Sequence, residues 1–453
     1  MAVVRKTTKH IPASWLFSKQ STRATSVGSN DNRLDNIEPH SAIEEHLTLL
    51  HYLQVHIYHE YLSRQRSASP SLHCNGGRGA TSSLSTRRLP PGHLGRISET
   101  GKCIDRDKTY VAIKISVAER DRDAETRELQ IMKQLSTLHH PCLKYVMRML
   151  DDFSLKGPNG SHQCHVYELL RPNISDTITA HFPSGRLPGK VAKVIAKQCL
   201  IGLDGLHQRN IGHGDLHTRN LVFTIPDTTN LPEEKFIEML GEPEVGRVQR
   251  RDGKELGPGV EPGVPEYIVR PSLYLMRLWN STPTVKIVDF GESFLPTTVP
   301  QTLHTPLSVR APEVIFQDCI DYQVDLWSMG CMVVTGREWQ LFELFTGQPP
   351  FDTFMTTPTI LVGQMREMAS DNLPERWQGI WDVTKTQNGM AVEAAGPNLQ
   401  EWLEEVHFDG SQNADLAKED IAKLGEIIGR LLYFEPSARA SAREVLDDPW
   451  FNE

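Results

Sequence analysis

The stretch 211–220, IGHGDLHTRN, constrains the fold of this 453-residue chain more than any other part of its sequence. It places an acid (Asp215), a cation (Arg219) and an amide (Asn220) within six residues. A second acid, Asp289, follows in the run VKIVDFGES. These side chains can act together only if the fold returns the chain to one point, so we expect the two stretches to meet in a cleft.

This set of side chains fits phosphoryl transfer, which requires positioning and charge neutralisation more than covalent chemistry. Asp289 and Asn220 offer the oxygen ligands that Mg²⁺ prefers. Asp215 can accept or orient the proton of an attacking hydroxyl group, and Arg219 can lie along the transferring group. We therefore predict Asp215, Arg219 and Asn220 as catalytic residues, with Asn220 and Asp289 as metal ligands.

A strand and a helix upstream carry a possible ion pair. Residues 110–117, YVAIKISV, have the composition of a strand, and 119–138 has the apolar spacing of a helix. Lys114 lies on the strand and Glu128 in the helix. They are either ordinary surface charges or an ion pair that aims the lysine at nucleotide phosphates. The acids downstream favour the second interpretation.

A second apolar strand, HVYELL at 165–170, is predicted to run past the nucleotide base. Backbone groups of Glu168 and Leu170 are our candidates for hydrogen bonds to an adenine edge. The apolar spacing of 191–208 predicts a helix that leads directly into the 211–220 stretch.

Taken in order, these motifs resemble those of the eukaryotic protein kinase superfamily over residues 108–453. The resemblance is carried by VAIK (111–114), Glu128, HGDLHTRN (213–220), DFG (289–291), APE (311–313), DLWSMGC (325–331) and Arg439. It implies an α+β bilobal fold, with a small β-rich lobe, a larger helical lobe, and ATP and Mg²⁺ between them. It also implies a Glu313–Arg439 ion pair and an Asp325 carboxylate that braces the catalytic loop.

Among subfamilies, the chain is most similar to the SR-protein-specific serine/threonine kinases in their divergent fungal form. The similarity lies in the long spacer before DFG, in TPLSVRAPEVIF (305–316) and in DYQVDLWSMGC (321–331). It implies a protein substrate whose serines lie in Arg/Ser-rich sequences of the splicing type.

Composition divides the chain into parts. Residues 1–100 are predicted to be a low-complexity tail with one helix at 41–64. Residues 101–170 form the predicted small lobe and 171–453 the large one. The Pro- and Gly-rich run 223–284 is an insertion, either for substrate docking or simply solvated.

Several positions depart from the superfamily pattern. Gly214 replaces the arginine that pairs with an activation-loop phosphate, which suggests activity independent of such phosphorylation. His217 replaces the usual lysine, and we assign that lysine's role to Arg219. No G-x-G-x-x-G precedes Lys114 at the expected distance, so the small lobe is predicted to be incomplete, which puts ATP affinity in doubt.

Three other functions compete with a serine/threonine protein kinase. A pseudokinase scaffold would explain the missing glycine-rich loop, but the catalytic side chains are present. Aminoglycoside-phosphotransferase-like small-molecule kinases share H-G-D-L-H-x-x-N, but they lack the 311–313 and 325–331 motifs. The His213–His217 spacing resembles the zinc motif H-E-x-x-H, but glycine stands where that motif has glutamate.

Composition also bounds partners and location. A net charge of −9 argues against direct nucleic-acid binding and is compatible with basic peptides. No apolar run is long enough to span a membrane, and we expect a monomer. Seven scattered cysteines without C-x-x-C suit a reducing compartment, cytoplasmic or nuclear. The first 30 residues are basic and lack acids, which fits a mitochondrial presequence, although we favour a disordered basic tail.

Overall fold

The structure is a computed structural model, and it describes most of the chain after residue 110. Described are 111–116, 126–138, 140–157, 160–182, 186–225, 245–247, 267–269, 283–332, 357–387, 397–408, 415–452, Lys235 and Phe351. The predicted 1–100 tail, its 41–64 helix and the glycines upstream of Lys114 lie outside these residues, as does most of the 223–284 insertion.

The described residues divide between two compact units. The first contains strand β1 (Val111–Ile115) and most of β2 (Met149–Gly157) and β3 (Gly160–Glu168), in the sheet order β1–β3–β2. A short antiparallel ribbon pairs residues 245–247 with 267–269.

Apolar side chains that alternate along the strands form the core of the first unit. Val111, Ile113, Cys164 and Val166 are buried, and Ile115, Phe153 and Leu155 pack against them. Successive side chains of a strand point to opposite faces, so Lys114 lies on the face opposite Ile113. The predicted strand is therefore confirmed over its described residues.

The second unit contains a sheet that explains how the two acidic stretches meet. It has the order β4 (Leu170–Asn173), β5 (Leu221–Thr224) and β6 (Val285–Ile287), all antiparallel. Leu221 pairs with Ile287. Because the strands run in opposite directions, the residue before β5 lies beside the residue after β6. Accordingly, the Val288 amide donates to the Asn220 carbonyl oxygen at 2.9 Å.

Helices are the commonest regular elements among the described residues of the second unit. In the described part of the chain they are α1 (Arg127–Ser136), α2 (Ile174–His181), α3 (Gly189–His207), α4 (Pro312–Ile315), α5 (Val324–Met332), α6 (Pro358–Met368), α7 (Glu375–Gln387), α8 (Leu399–Phe408), α9 (Lys418–Gly429) and α10 (Ala442–Leu446). None of these described helices is long and apolar enough to cross a bilayer.

The boundaries of α3 and α1 test the sequence predictions. The α3 helix matches the predicted 191–208 helix closely. The prediction that α1 begins at residue 119 is wrong. Thr126 is its N-cap, with extended backbone and a hydroxyl that accepts from the Leu129 amide, so the helix begins at Arg127.

A buried ion pair joins α4 to the segment that precedes α10. Arg439 Nη1 and Nη2 donate to Glu313 Oε1 and Oε2 at 2.6 and 2.7 Å, and both side chains are almost fully buried. Removal of one partner from such a pair costs about 3–5 kcal/mol because a buried charge is left alone. The predicted Glu313–Arg439 pair is thus confirmed.

Candidate active site

Asp325, at the start of α5, holds the 211–220 stretch through hydrogen bonds to its backbone. The Asp325 carboxylate is 1% exposed and accepts from the amides of His213 and Gly214, each at 2.8 Å. His207 Nε2 lies 3.1 Å from the same carboxylate. Charge-assisted bonds of this kind are stronger than neutral ones, so the predicted brace on the loop is confirmed.

His213 connects the loop to the strand that carries Asp289. Its Nδ1 accepts from the Asp215 amide at 3.3 Å, and its Nε2 lies 3.0 Å from the Val288 carbonyl oxygen. The His213 ring is fully buried and meets Phe290 edge-on. Both ring nitrogens are therefore engaged within the protein. No group of three or more acidic, histidine or cysteine ligands suited to a metal occurs among the described residues.

The Asp215 carboxylate has two unlike oxygens. Asn220 Nδ2 donates to the Asp215 carbonyl oxygen at 2.8 Å and to Oδ2 at 3.1 Å. Oδ1 is buried and has no hydrogen-bond partner in the part of the chain that the structure describes. A buried acceptor without a partner is unfavourable. Asp215 and Asn220 are thus brought together as predicted.

Asp289 follows β6 in a left-handed backbone conformation, with φ of 62°. Its neighbour Val288 is bonded on both sides, to Asn220 and His213. The Gly291 amide donates to Asp289 Oδ1 at 3.4 Å. The carboxylate is therefore directed by its own backbone and by a local turn.

Asn220 and Asp289 suit a hard divalent cation. Because Asn220 uses Nδ2 for Asp215, its Oδ1 is the amide atom left to face a metal. Mg²⁺ is commonly held by one or two protein ligands together with phosphate oxygens and water. Two oxygen donors at this position are chemically sufficient for that mode of binding.

A tyrosine that sequence reasoning missed contacts Glu128. The Tyr167 hydroxyl donates to Glu128 Oε1 at 3.1 Å, and Tyr167 is fully buried at the end of β3. Burial, the Glu128 carboxylate and the charge of Asp289 raise the pKa of Tyr167 well above its ordinary value. A buried tyrosine needs a partner for its hydroxyl. The tyrosine within the apolar run HVYELL was therefore the sequence signal that could have indicated this contact.

Glu168 is engaged by its neighbours. Its Oε1 accepts from the Lys286 ammonium at 2.6 Å and from the Arg148 amide at 2.7 Å. Its own amide donates to the Arg148 carbonyl oxygen at 3.2 Å. Leu170 pairs with Thr224 in the sheet, and the adenine contacts of both residues stay predictions.

Lys114 and Arg219 complete the predicted set. Lys114 belongs to the first compact unit, whereas the other predicted site residues belong to the second. Its ion pair with Glu128 therefore stays a prediction. The Arg219 amide donates to His217 Nδ1 at 3.2 Å, and the role proposed for the Arg219 guanidinium also stays a prediction.

Gly214 lies where the segment after Asp289 packs against the loop. Its φ is +77°, and a Cβ built there would lie 2.8 Å from the Glu292 carbonyl oxygen and 3.0 Å from Leu303 Cδ2. The Thr305 hydroxyl donates to the Gly214 carbonyl oxygen at 2.8 Å. There is consequently no space for an arginine side chain at this position.

Comparison with known families agrees with this geometry. The protein kinase domain family matches residues 92–231 and 277–451, which is more than half of the chain. The chain belongs to the protein kinase family. The residues between the two matched segments lie inside the predicted 223–284 insertion, and the match begins upstream of Lys108, where the motif resemblance begins.

Individual kinases show similarity over most of the chain. The chain is 29% identical to the serine/threonine-protein kinase SRPK of Physarum polycephalum, covering 75% of this chain and 79% of that protein. It is 27% identical to a serine/threonine protein kinase of Aspergillus fumigatus, covering 75% and 77%. It is 25% identical to the human dual specificity protein kinase CLK1, covering 80% and 64%.

These similarities confirm the α+β kinase fold, with a smaller strand-rich and a larger helix-rich part. They also confirm the prediction of a serine/threonine protein kinase similar to the SR-protein-specific group. They favour this activity over a binding scaffold or an aminoglycoside-type kinase. Membership of the family implies ATP as the phosphoryl donor, usually with Mg²⁺, and a protein as the acceptor.

Proposed function

We propose that this kinase transfers the γ-phosphoryl group of ATP, held with Mg²⁺, to serine hydroxyls in Arg/Ser-rich proteins of the splicing type. The observation that supports the chemistry is the arrangement at Asp215. One carboxylate oxygen is bonded to Asn220, and the other is buried without a partner among the described residues. A carboxylate that is held by Asn220 and keeps 17% of its side chain exposed can accept the proton of an incoming hydroxyl.

The other residues have distinct roles in this proposal. Asn220 and Asp289 would hold the metal, and Lys114 would grip the phosphates. Bound Mg²⁺ would neutralise phosphate charge and orient the nucleotide. Arg219 lies along the transferring group. With donor and acceptor held in line, positioning supplies most of the rate acceleration.

Two features of the sequence support an arginine-rich substrate. The net charge of −9 favours association with basic peptides at physiological salt. The 305–316 and 321–331 motifs are most similar to those of the SR-protein-specific kinases, and one similar protein is named SRPK. The acceptor would then be a serine flanked by arginines.

A peptide assay tests the proposal. The full chain is incubated with ATP, Mg²⁺ and an Arg/Ser repeat peptide, and in parallel with a Lys/Ser peptide of equal charge. We expect phosphoserine on the Arg/Ser peptide, with at least about tenfold preference over Lys/Ser, because a bidentate guanidinium is not replaced by an ammonium. The Asp215→Asn variant is the inactive control.

Each outcome has a distinct meaning. Transfer to other proteins but not to the Arg/Ser peptide would refute the substrate class and leave the kinase activity standing. Phosphotyrosine would indicate dual specificity, as named for the human relative CLK1. ATP binding without any turnover would favour the scaffold alternative.

We further propose that the protein acts as a monomer in the cytoplasm or nucleus, where Arg/Ser-rich splicing proteins are available. The five cysteines in the described part of the chain are all free thiols, as a reducing compartment would leave them. Fluorescence of the tagged full chain tests the location, and light scattering tests the monomer. Import into mitochondria would contradict the location and support the presequence interpretation of residues 1–30.

A further inference from the structure

His217 lies close to the Asp215 carboxylate, and a hydrogen bond to the backbone fixes its ring. It is the N-cap of the short 3₁₀ turn Thr218–Asn220, and its side chain accepts from the Arg219 amide at 3.2 Å through Nδ1. The residue is 4% exposed. A ring nitrogen that accepts a backbone N–H carries no proton, so the proton of the neutral ring lies on Nε2.

The protonated nitrogen faces the catalytic acid. His217 Nε2 lies 3.5 Å from Asp215 Oδ2. It also lies 3.2 Å from Asn220 Nδ2, but with the proton on Nε2 that is a contact between two donors and not a hydrogen bond. Asn220 Nδ2 in turn donates to Asp215, both to the carbonyl oxygen and to Oδ2. Oδ2 thus accepts from the Asn220 amide and has His217 Nε2 at a longer distance, whereas Oδ1 has no partner among the described residues.

We propose that His217 is a positioning residue that fixes the orientation of the Asp215 carboxylate toward the substrate hydroxyl. Its Nε2–H and the Asn220 amide both lie beside Oδ2 and restrict rotation of the carboxylate. The 3.5 Å separation is long for a hydrogen bond, and catalytic hydrogen bonds commonly shorten when substrate binds. This inference rests on the proposed kinase function and deepens it.

The proposal differs from the role that lysine has at this position in the superfamily. A lysine there contributes a positive charge, and the sequence led us to transfer that charge to Arg219. The contacts of His217 instead indicate a neutral N–H donor that acts through Asp215. The Arg219 backbone serves this arrangement, because its amide orients the imidazole.

A purely structural role is the competing explanation, because His217 is an N-cap. Two substitutions separate the roles. Asparagine is a favoured N-cap residue, so His217→Asn retains an acceptor for the Arg219 amide but is too short to reach Asp215. Glutamine places an N–H donor near the position of Nε2 but caps poorly, so His217→Gln retains the contact with Asp215.

The experiment measures kcat, the KM values for ATP and peptide, and the melting temperature of the full-length variants. We expect His217→Asn to melt within about 2 °C of the parent, with kcat reduced by about 10- to 100-fold and both KM values unchanged. We expect His217→Gln to melt a few degrees lower while recovering kcat to within about fivefold of the parent.

Three results would overturn the proposal. Full kcat in His217→Asn would show that the residue is only a cap. Equal loss in both variants would show that an N–H donor is not what Asp215 needs. Recovery of His217→Asn at high Mg²⁺ would show that His217 acts on the metal ligand Asn220 instead.

The proposed substrate does not decide this test. Turnover is also followed as ATP hydrolysis, in which water takes the place of the hydroxyl. If the parent protein hydrolyses ATP but ignores the Arg/Ser peptide, the substrate proposal fails while the variant ranking still applies. A parent protein without any turnover would overturn both.

Discussion

Asp289 combines an unusual backbone with a charge, and the two can be separated. Aspartate and asparagine both tolerate its φ of 62° better than other side chains. Asp289→Asn therefore preserves the turn but removes the negative charge that we propose to hold Mg²⁺. We expect turnover to fall by at least about 100-fold, equivalent to about 2.7 kcal/mol, with an unchanged melting temperature.

A Mg²⁺ titration of the kinase assay, with a thermal melt of the same sample, checks the Asp289 prediction. Asp382→Asn is the matched control, because the Asp382 side chain is 64% exposed on α7. Undiminished turnover in Asp289→Asn would mean that other groups bind the metal.

Tyr167 offers a second residue-scale prediction. Tyr167→Phe keeps the buried ring but removes the hydroxyl that donates to Glu128 at 3.1 Å. Glu128 then loses one of the bonds that orient it, and we expect the KM for ATP to rise severalfold with a stability loss of about 1 kcal/mol. Tyr433→Phe, at a partly buried tyrosine, is the control. An unchanged KM would show that Tyr167 only fills space.

The candidate site residues could be chosen from the sequence because phosphoryl transfer restricts which side chains can serve. Asp215, Asn220 and Asp289 are identified by type and order alone. The roles of His213, His217 and Tyr167 were not predictable, because they depend on which ring nitrogen or hydroxyl meets which backbone group. Such contacts follow from side-chain direction, which spacing along the sequence does not specify.

At the scale of elements, Gly214 shows how the loop and the segment 292–305 depend on each other. A Cβ at Gly214 would meet the Glu292 carbonyl oxygen at 2.8 Å, and the positive φ disfavours any L side chain. We expect Gly214→Ala to destabilise the protein by about 1–3 kcal/mol and to lower turnover by displacing the segment.

Gly363 is the matched control for Gly214. It lies within α6, and a Cβ there would have nothing within 4 Å. Gly363→Ala should raise stability by up to about 1 kcal/mol, because alanine is the better helix former. Chemical denaturation and kinase assays compare the two variants. A neutral Gly214→Ala would show that the segment moves away without penalty.

Element boundaries were the weakest part of the sequence predictions. The α3 helix was predicted well because its apolar face is continuous. The predicted start of α1 was wrong because the charged residues before Thr126 have a good propensity for helix. The Thr126 N-cap, with its extended backbone, instead fixes the beginning of the helix at Arg127. The pairing of β5 with β6 was not predictable, because a long insertion separates these short strands along the sequence.

At the scale of the whole molecule, contacts between distant parts of the chain maintain the larger unit. The resemblance to kinases predicted the Glu313–Arg439 pair and the Asp325 brace. It did not predict a third long-range contact, in which Arg186 Nη1 meets Asp415 Oδ1 at 2.6 Å. His407 of α8 is buried beside this pair, with Nε2 4.0 Å from Asp415 Oδ1. Arg186 lies just before α3, Asp415 just before α9, and His407 near the end of α8. The cluster therefore connects these three helices.

This cluster predicts a dependence of stability on pH. Burial, followed by the charge of Arg186, lowers the pKa of His407 below its usual value of 6.5, although Asp415 opposes the shift. The folded protein therefore keeps His407 neutral where the unfolded chain takes up a proton. Stability from this residue is complete above about pH 6.5 and falls as the pH drops toward the lowered pKa, by about 1.4 kcal/mol for each unit of the shift.

The thermal midpoint between pH 7.5 and pH 5.5 measures this effect. We expect a decline in the parent protein and a flatter profile in His407→Gln, which cannot titrate. The carboxylate of Asp415 does not interfere in this range. Burial opposes its ionisation, but the Gly189 amide and Arg186 lower its pKa overall, so it loses its proton well below pH 5.5. His304, whose side chain is 49% exposed, supplies the control variant His304→Gln. Parallel profiles for the parent and His407→Gln would assign the acid sensitivity to other groups.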